Sequence, residues 1–400
     1  MNSASLQVGD IIEIETERLA YGGDAIARHE GLAIFVPFAA ANERLRVRIT
    51  ERKKKYARAA IEAILKPSNS RREPACQYFG SCGGCQIQHL NYPAQLEAKV
   101  GFVRDALERI GGLEWRREIP IRHAEEFKYR GRAQIKIDHL NGRLGFNRAS
   151  TIEVCDIKGC PILAPELDET LKAVRLEMGD PQKWDRSSPR SQIEIAAGES
   201  GVSVEPALKK LPNAPLHRSV RSAIYKFGAS TFFQANPGLL EHLIEEALGV
   251  ESGDLAIDLY SGVGLFSIQL ARRFNRVIAV EADKDAAEFA RENITANGLT
   301  NIEFYQNRAD LWLKRAIKGT RLEADLLVLD PPRGGASAAL PGIIESGPSR
   351  ISYVSCDPTT LARDLRVLTD SGYEIADVTA VDLFPQTYHV ETIVKLTRAR

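Results

Sequence analysis

Residues 6 to about 65 fall into short runs in which apolar and polar side chains alternate. The runs V-G-D-I-I-E-I-E from Val8, G-L-A-I-F-V-P from Gly31 and E-R-L-R-V-R-I from Glu43 each gather apolar residues on one face. That period predicts strands, and turn signals such as Tyr21-Gly22-Gly23-Asp24 separate them. Closely spaced short strands predict a small closed β-barrel, an architecture that often binds single-stranded nucleic acid. At Leu96 the period lengthens: Leu96, Val100, Val103 and Leu107 recur at helical spacing up to Arg109. Alternation returns between Tyr129 and Glu153 as a β-meander with interleaved basic and aromatic residues, and Gln192 to Pro206 adds further strand. From about Tyr225 wholly apolar runs alternate with helical stretches. Asp254 to Leu270 reads as a strand, a turn with glycines at 262 and 264, and a helix. Val277 to Val280 ends in Glu281, Ala324 to Leu329 runs into Asp330-Pro331-Pro332-Arg333, and Ile351 to Val354 leads to Cys356-Asp357-Pro358 before a helix over Leu361 to Leu368. Apolar strands alternating with helices predict a doubly wound α/β sheet.

In such a sheet ligands bind at the C-terminal lip of the strands, and the chemistry of this chain collects there. Glu281, ending the second strand, is placed to hold ribose hydroxyls. The turn S-G-V-G-L lacks the third glycine of a dinucleotide fold, which points to S-adenosylmethionine instead. Asp-Pro-Pro followed by an aromatic suits methylation of exocyclic amines; here Arg333 follows, which shifts the expectation to a carbon nucleophile. Cys356 lies between a strand end and a helix N-terminus, where unpaired N–H groups favour a thiolate. A thiolate adding at carbon 6 of a pyrimidine turns carbon 5 into an enolate able to accept a methyl group. A base must then remove the carbon 5 proton. Glu391 is the candidate, with His389 on the same strand face as its rival.

Length and composition refine this picture. Four hundred residues suggest two or three domains. No apolar run reaches membrane-spanning length and the first ten residues lack a signal-peptide pattern, so a cytoplasmic protein with reduced thiols is expected. Net charge is zero, yet residues 1–150 carry 25 Lys and Arg against 18 Asp and Glu, a balance of +7, and the remainder carries −7. Eight basic residues and one acid lie between Arg44 and Arg58, and Arg44, Arg46 and Arg48 alternate with Leu45, Val47 and Ile49, which predicts a cationic strand face suited to phosphates. Three of the six cysteines, Cys76, Cys82 and Cys85, stand within ten residues among glycines. With Cys155 or Cys160 as a fourth ligand they suit either zinc or a [4Fe–4S] cluster.

The N-terminal pattern resembles a TRAM domain, an OB-like barrel of RNA-modifying enzymes. Phe232-Phe233-Gln234-Ala235-Asn236, D-L-Y-S-G-V-G from Asp258, Asp330-Pro331-Pro332-Arg333, S-C-D-P-T-T-L-A-R-D from Ser355 and the F-P…E-T segment ending at Glu391-Thr392 resemble the RNA 5-methyluridine methyltransferase family, in its bacterial 23S ribosomal RNA branch. The resemblance implies a class I methyltransferase domain over 223–400, a TRAM barrel over 1–66, and a central α+β iron–sulfur domain over 67–222 of which about 90–120 packs on the catalytic domain. It implies Cys356 as nucleophile and Glu391 as proton acceptor. Gln234, Tyr260, Gly262, Glu281 and Asp330 would contact S-adenosylmethionine, and Cys76, Cys82, Cys85 and Cys160 would ligate a [4Fe–4S] cluster. The chain departs from the family at Leu265, where relatives carry a polar residue, and at Gln306-Asn307-Arg308, where the acidic adenine contact is missing. The expected protein is a cytoplasmic monomer acting on RNA, ribosomal RNA first and the transfer RNA T-loop second. A non-catalytic RNA-binding protein is the alternative from another class. A radical enzyme would space its cysteines differently, and a cytosine methyltransferase would show Pro-Cys.

Overall fold

A computed structural model of the chain describes residues 6–179, 190–317 and 322–399. Of these, residues up to 102, 146–155 and 384–389 form one compact unit, and residues 103–145, those described between 156 and 383, and those from 390 onward form a second. Among the described residues no helix is long and apolar enough to cross a membrane.

The first unit begins with the expected barrel, closed by the strands Ile11–Leu19, Ala25–His29, Leu32–Val36, Tyr56–Lys66 and Arg44–Arg52 in that spatial order. Its interior is filled from alternate positions: Leu45, Val47 and Ile49 meet Ile14, Ala27, Ile34 and Ala57. Closure leaves no open strand edge, which a five-stranded sheet of this size needs for independent stability. The outer face carries the expected basic stripe, with acids set across it. Antiparallel register sets Glu13 opposite Arg46 and Glu15 opposite Arg44. Arg44 and Arg46 donate to the two carboxylate oxygens of Glu13 at 2.9 and 3.1 Å, and Arg48 donates to Glu62 at 2.6 Å. The Glu13 carboxyl is held below its usual range by these arginines, Arg46 foremost. Exposed pairs of this kind stabilise a fold by about 0–1 kcal/mol, so a phosphate can displace them at little cost.

The rest of this unit is tied together by polar side chains from distant parts of the chain. Gln95 donates to the side-chain oxygen of Gln386 at 3.0 Å and accepts from the Gln386 backbone at 2.9 Å. The buried Lys99 ammonium donates to the Phe384 carbonyl at 2.9 Å. Residues 384–389 are thereby fixed in the first unit, and His389 with them.

The second unit holds an eight-stranded sheet. Its spatial order is Ile302–Gln306, Phe274–Glu281, Gly253–Leu259, Leu326–Leu329, Arg350–Ser355, Glu391–Arg398, Tyr373–Val381 and Ile121–Arg122. The first five run parallel, and Glu391–Arg398 is antiparallel to both neighbours. Parallel strands need crossovers; Leu265–Leu270, Lys284–Ala296, Ala309–Ala316 and Leu340–Ser346 join these five, and Pro358–Asp370 leads on to Tyr373–Val381. This is the doubly wound fold expected from the apolar runs. The eighth strand comes from far upstream, and next to it the turn Leu107–Gly111 packs on the last crossover helix, where Arg366 donates to the Gly111 carbonyl at 3.3 Å. A smaller sheet in this unit pairs Gly201–Glu205 with Arg190–Gly198, Arg190–Gly198 with Arg132–Asp138, and Arg132–Asp138 with residues 143–145.

Candidate active site

Five residues singled out from sequence reach one lip of the large sheet because of its register. Leu259 pairs with Leu329 and Val280, so Tyr260, Asp330 and Glu281 follow at neighbouring strand ends. Ser355 pairs with Thr392 in the antiparallel ladder, and one step outward sets Cys356 opposite Glu391. Gln234 joins from the loop before the first crossover, its amide donating to Asp330 at 3.5 Å.

The turn after the first strand is built for close approach of a ligand. Tyr260 has φ 62°, Gly262 φ 54° and Gly264 φ 93°, the left-handed region that a side chain strains to adopt. Glu281 accepts from the backbone of Gly262 at 2.8 Å and from Ala282 and Asp283 at 2.7 Å each, which fixes its carboxylate at the mouth of the turn. Among the described residues, Asp258 Oδ1, Ser261 Oγ and Glu391 Oε1 are buried polar atoms with no hydrogen-bond partner. Such atoms cost free energy unless a ligand or water satisfies them, and they fit a polar cosubstrate seated on this lip. Asp258 belongs to the strand itself and was not picked out from sequence. Ser267 donates to its other oxygen, and burial pushes its carboxyl up to about 7. Asp330 is likewise raised to about 7 by burial and by Asp258.

Electrostatics at the thiol run against the sequence expectation. Cys356 was expected to ionise against helix N–H groups. Asp357 caps that helix instead, its carboxylate accepting from Thr359 and Thr360 at 2.8 and 3.3 Å. Burial, followed by the Glu391 and Asp330 carboxyls, pushes the Cys356 thiol up to about 12. Arg333 opposes this, donating a hydrogen bond to the thiol. Glu391 is 3 % exposed, and burial together with Asp330 raises its carboxyl well above the ordinary value while Arg333 lowers it. The sequence reading treated Arg333 only as a missing aromatic. In space it is a cation that acts on both the Cys356 thiol and the Glu391 carboxyl.

Other expected residues separate. Phe233 is 4 % exposed and stacks on Phe227 with centroids 4.5 Å apart, whereas Phe232 is 61 % exposed with the Arg132 guanidinium 5.8 Å from its ring centre. His389 belongs to the first unit and Glu391 to the second. Cys76, Cys82, Cys85 and Cys155 fall in the first unit and Cys160 in the second. Among the described residues no group of three or more His, Cys, Asp or Glu side chains is arranged to hold a metal ion. The Cys82 sulfur accepts from the Gly84 backbone at 3.4 Å.

Comparison with known proteins agrees with this geometry. The family model described as tRNA (Uracil-5-)-methyltransferase matches residues 213–399, and the TRAM domain model matches residues 5–61. A relative from Aquifex aeolicus, described as an uncharacterised RNA methyltransferase, is 33 % identical over 96 % of this chain and 98 % of its own. The 23S rRNA (uracil(1939)-C(5))-methyltransferase of Klebsiella pneumoniae is 31 % identical over 97 % of this chain and 96 % of its own. The crystal structure of the Pyrococcus abyssi tRNA (uracil-54, C5)-methyltransferase in complex with S-adenosyl-L-homocysteine superposes with a TM-score of 0.74 at 25 % identity, covering 96 % of this chain and all of that one. A glycine turn with a pinned acid, a thiol paired with a carboxylate across adjoining strands, and full-length relatives that methylate uracil lead to one conclusion: the chain belongs to the RNA uracil-5-methyltransferase family, enzymes that use S-adenosylmethionine.

Proposed function

We propose that the enzyme methylates carbon 5 of a uridine in 23S ribosomal RNA, with Cys356 as nucleophile and Glu391 as the base that removes the carbon 5 proton. The observation that carries this reading is the strand register that sets Cys356 opposite Glu391, with Arg333 against both. When bound, S-adenosylmethionine supplies an electrophilic methyl group on a sulfonium. Gln234, Tyr260, the Gly262 turn, Glu281 and Asp330 hold it. Burial, and after it the Asp310 carboxylate, raises the Tyr260 hydroxyl pKa, and Asp310 supplies an acid near the turn that Gln306-Asn307-Arg308 lacks. Cys356 gives up its proton to solvent, the thiolate Sγ bonds to carbon 6, and carbon 5 becomes the nucleophile for the methyl group. Glu391 then takes the carbon 5 proton as the C–S bond breaks, restoring the ring and releasing the Cys356 thiolate. A base must be ionised when it acts, so Arg333 also has the task of opposing the burial of Glu391.

The full-length likeness to the Klebsiella pneumoniae 23S rRNA enzyme supports ribosomal RNA; the Pyrococcus abyssi structure supports transfer RNA as the second reading. Mass spectrometry of both RNAs from a deletion strain decides, and loss of 5-methyluridine from transfer RNA alone overturns the choice. The protein is proposed to work as a cytoplasmic monomer. A [4Fe–4S] cluster on Cys76, Cys82, Cys85 and Cys160 rests on chain spacing and the family resemblance; among the described residues no side chains form a metal-holding group, and no step is assigned to the cluster. Iron and acid-labile sulfide in anaerobically purified protein, lost on Cys160→Ser and kept on Cys155→Ser, is the expected result. Stoichiometric zinc would overturn it.

A further inference from the structure

The loop that carries Arg333 is anchored by a buried carboxylate that the chemistry above does not use. Asp364 lies in the helix Pro358–Asp370, the one that Cys356 precedes, and is fully buried. One of its oxygens accepts from the Tyr353 hydroxyl at 2.7 Å and from the Ala336 backbone at 2.7 Å. The other accepts from Arg363 at 2.9 and 2.8 Å. Arg363 also donates to the Gly334 carbonyl at 2.9 Å, and the Thr360 hydroxyl donates to the Arg333 carbonyl at 3.1 Å. Gly335 sits between them at φ +80°, where a Cβ would come within 2.6 Å of both Arg363 and Asp364. Residues 333–336 are therefore clamped at every backbone position but one to the helix that follows the nucleophile. Most side chains in a helix interior need no such network, and burying a carboxylate is costly unless its hydrogen bonds are filled.

We propose that Asp364 is a positioning residue for methyl transfer: with Tyr353, Arg363 and Thr360 it holds the Arg333 loop so that the guanidinium lies against the Cys356 thiol and the Glu391 carboxyl. The inference rests on Cys356 being the nucleophile. It explains why the reactive cysteine and the helix following it are joined to the Asp-Pro-Pro-Arg loop by side chains of that same helix.

The charged and titratable groups facing the thiol are Glu391 and Asp330, which disfavour its ionisation, and Arg333, which favours it. Asp364 has two routes to the thiol: directly, as one more negative charge, or through Arg333. The sign of its effect therefore separates two explanations. Removing a negative charge by Asp364→Asn would, acting directly, make the thiolate easier to form. Releasing Arg333 makes it harder.

The test is the rate of Cys356 alkylation by iodoacetamide in full-length protein between pH 7 and 10, with the modified site located by peptide mass spectrometry. Arg333→Gln is expected to slow alkylation about tenfold or more at fixed pH, as each unit of thiol pKa changes the thiolate fraction about tenfold. Asp364→Asn is expected to slow it in the same direction, and the double variant to be no slower than Arg333→Gln alone. Thr360→Val, which removes only a half-buried hydroxyl, is expected to give a smaller slowing with an unchanged unfolding midpoint, and keeps the test open should Asp364→Asn fail to fold. Alkylation at the wild-type rate or faster in Asp364→Asn and Thr360→Val overturns the proposal. Because alkylation needs no turnover, that failure is distinct from failure of the nucleophile assignment, which would appear as methyl transfer by Cys356→Ala.

Discussion

The two raised carboxyls at the lip make donor binding pH-dependent in a defined direction. Asp258 and Asp330 are both pushed from an ordinary value of 3.8 up to about 7. Ionising either one in the folded protein costs roughly 4 kcal/mol more than in water. A sulfonium held within about 5 Å of one of them would favour its ionised form by about 3 kcal/mol at an effective dielectric constant of 20. S-adenosylmethionine should therefore bind the deprotonated site and release protons. For one group with a pKa of about 7, apparent affinity is about tenfold weaker at pH 6 than at pH 8, and up to about a hundredfold if both protons must leave. S-adenosylhomocysteine has the same amino and carboxyl groups but no sulfonium charge, so its affinity should change much less. Isothermal titration calorimetry of both ligands from pH 5.5 to 8.5, in buffers of different ionisation heat, counts the protons released. Equal pH profiles for the two ligands would refute the reasoning. The same carboxyls set a stability trend. A carboxyl raised in the folded state contributes stability that is full below its ordinary value and is lost as pH rises through about 7. Their contribution to the ligand-free protein should thus fall between pH 5.5 and 8, and saturating S-adenosylmethionine should restore much of it.

Three further outcomes follow from particular residues. Phe233→Ala should destabilise the protein by about 3–5 kcal/mol in urea unfolding, since it removes a buried stacked ring, while Phe232→Ala should leave unfolding unchanged and weaken single-turnover methylation of a short RNA. Replacing the exposed Arg52, Lys54 and Lys55 with Ala should lower the slope of log affinity against log salt by roughly 2 for a single-stranded RNA, and the acid-paired Arg44, Arg46 and Arg48 should contribute less when replaced in the same way. Gly335→Ala should reduce methylation more than it reduces donor affinity, because the strained residue lies in the Arg333 loop; equal losses in both would place the damage elsewhere.

Much of this site was legible in the sequence because its residues sit at strand ends, and strand ends are marked by where apolar runs stop. Glu281, Asp330 and Cys356 each follow such a run, and the sheet order then brings them to one lip. What escaped the sequence reading was set by side-chain partners, near and far. Glu13 neutralises Arg44 and Arg46 across a strand pair, and no local pattern in the basic run announces that. Asp357 is adjacent to the thiol and takes the helix N–H groups for itself; an Asp before Pro at a helix start is a capping signal that argued against a freely ionising cysteine. Arg333 meets the thiol only after the chain has returned through a helix and a strand. The two-residue strand Ile121–Arg122 is too short to show a period at all.

The claim on which the rest depends is that Cys356 and Glu391 act in separate halves of one covalent cycle. Denaturing electrophoresis of the Glu391→Gln variant, incubated with target RNA and a donor labelled in its methyl group, tests it most directly. The expected result is a labelled protein–RNA band that persists because nothing removes the carbon 5 proton, and no such band for Cys356→Ala under the same conditions. A Glu391→Gln enzyme that turns over normally while His389→Gln accumulates the band would contradict the assignment of the base. Methylation by Cys356→Ala would contradict the covalent cycle itself.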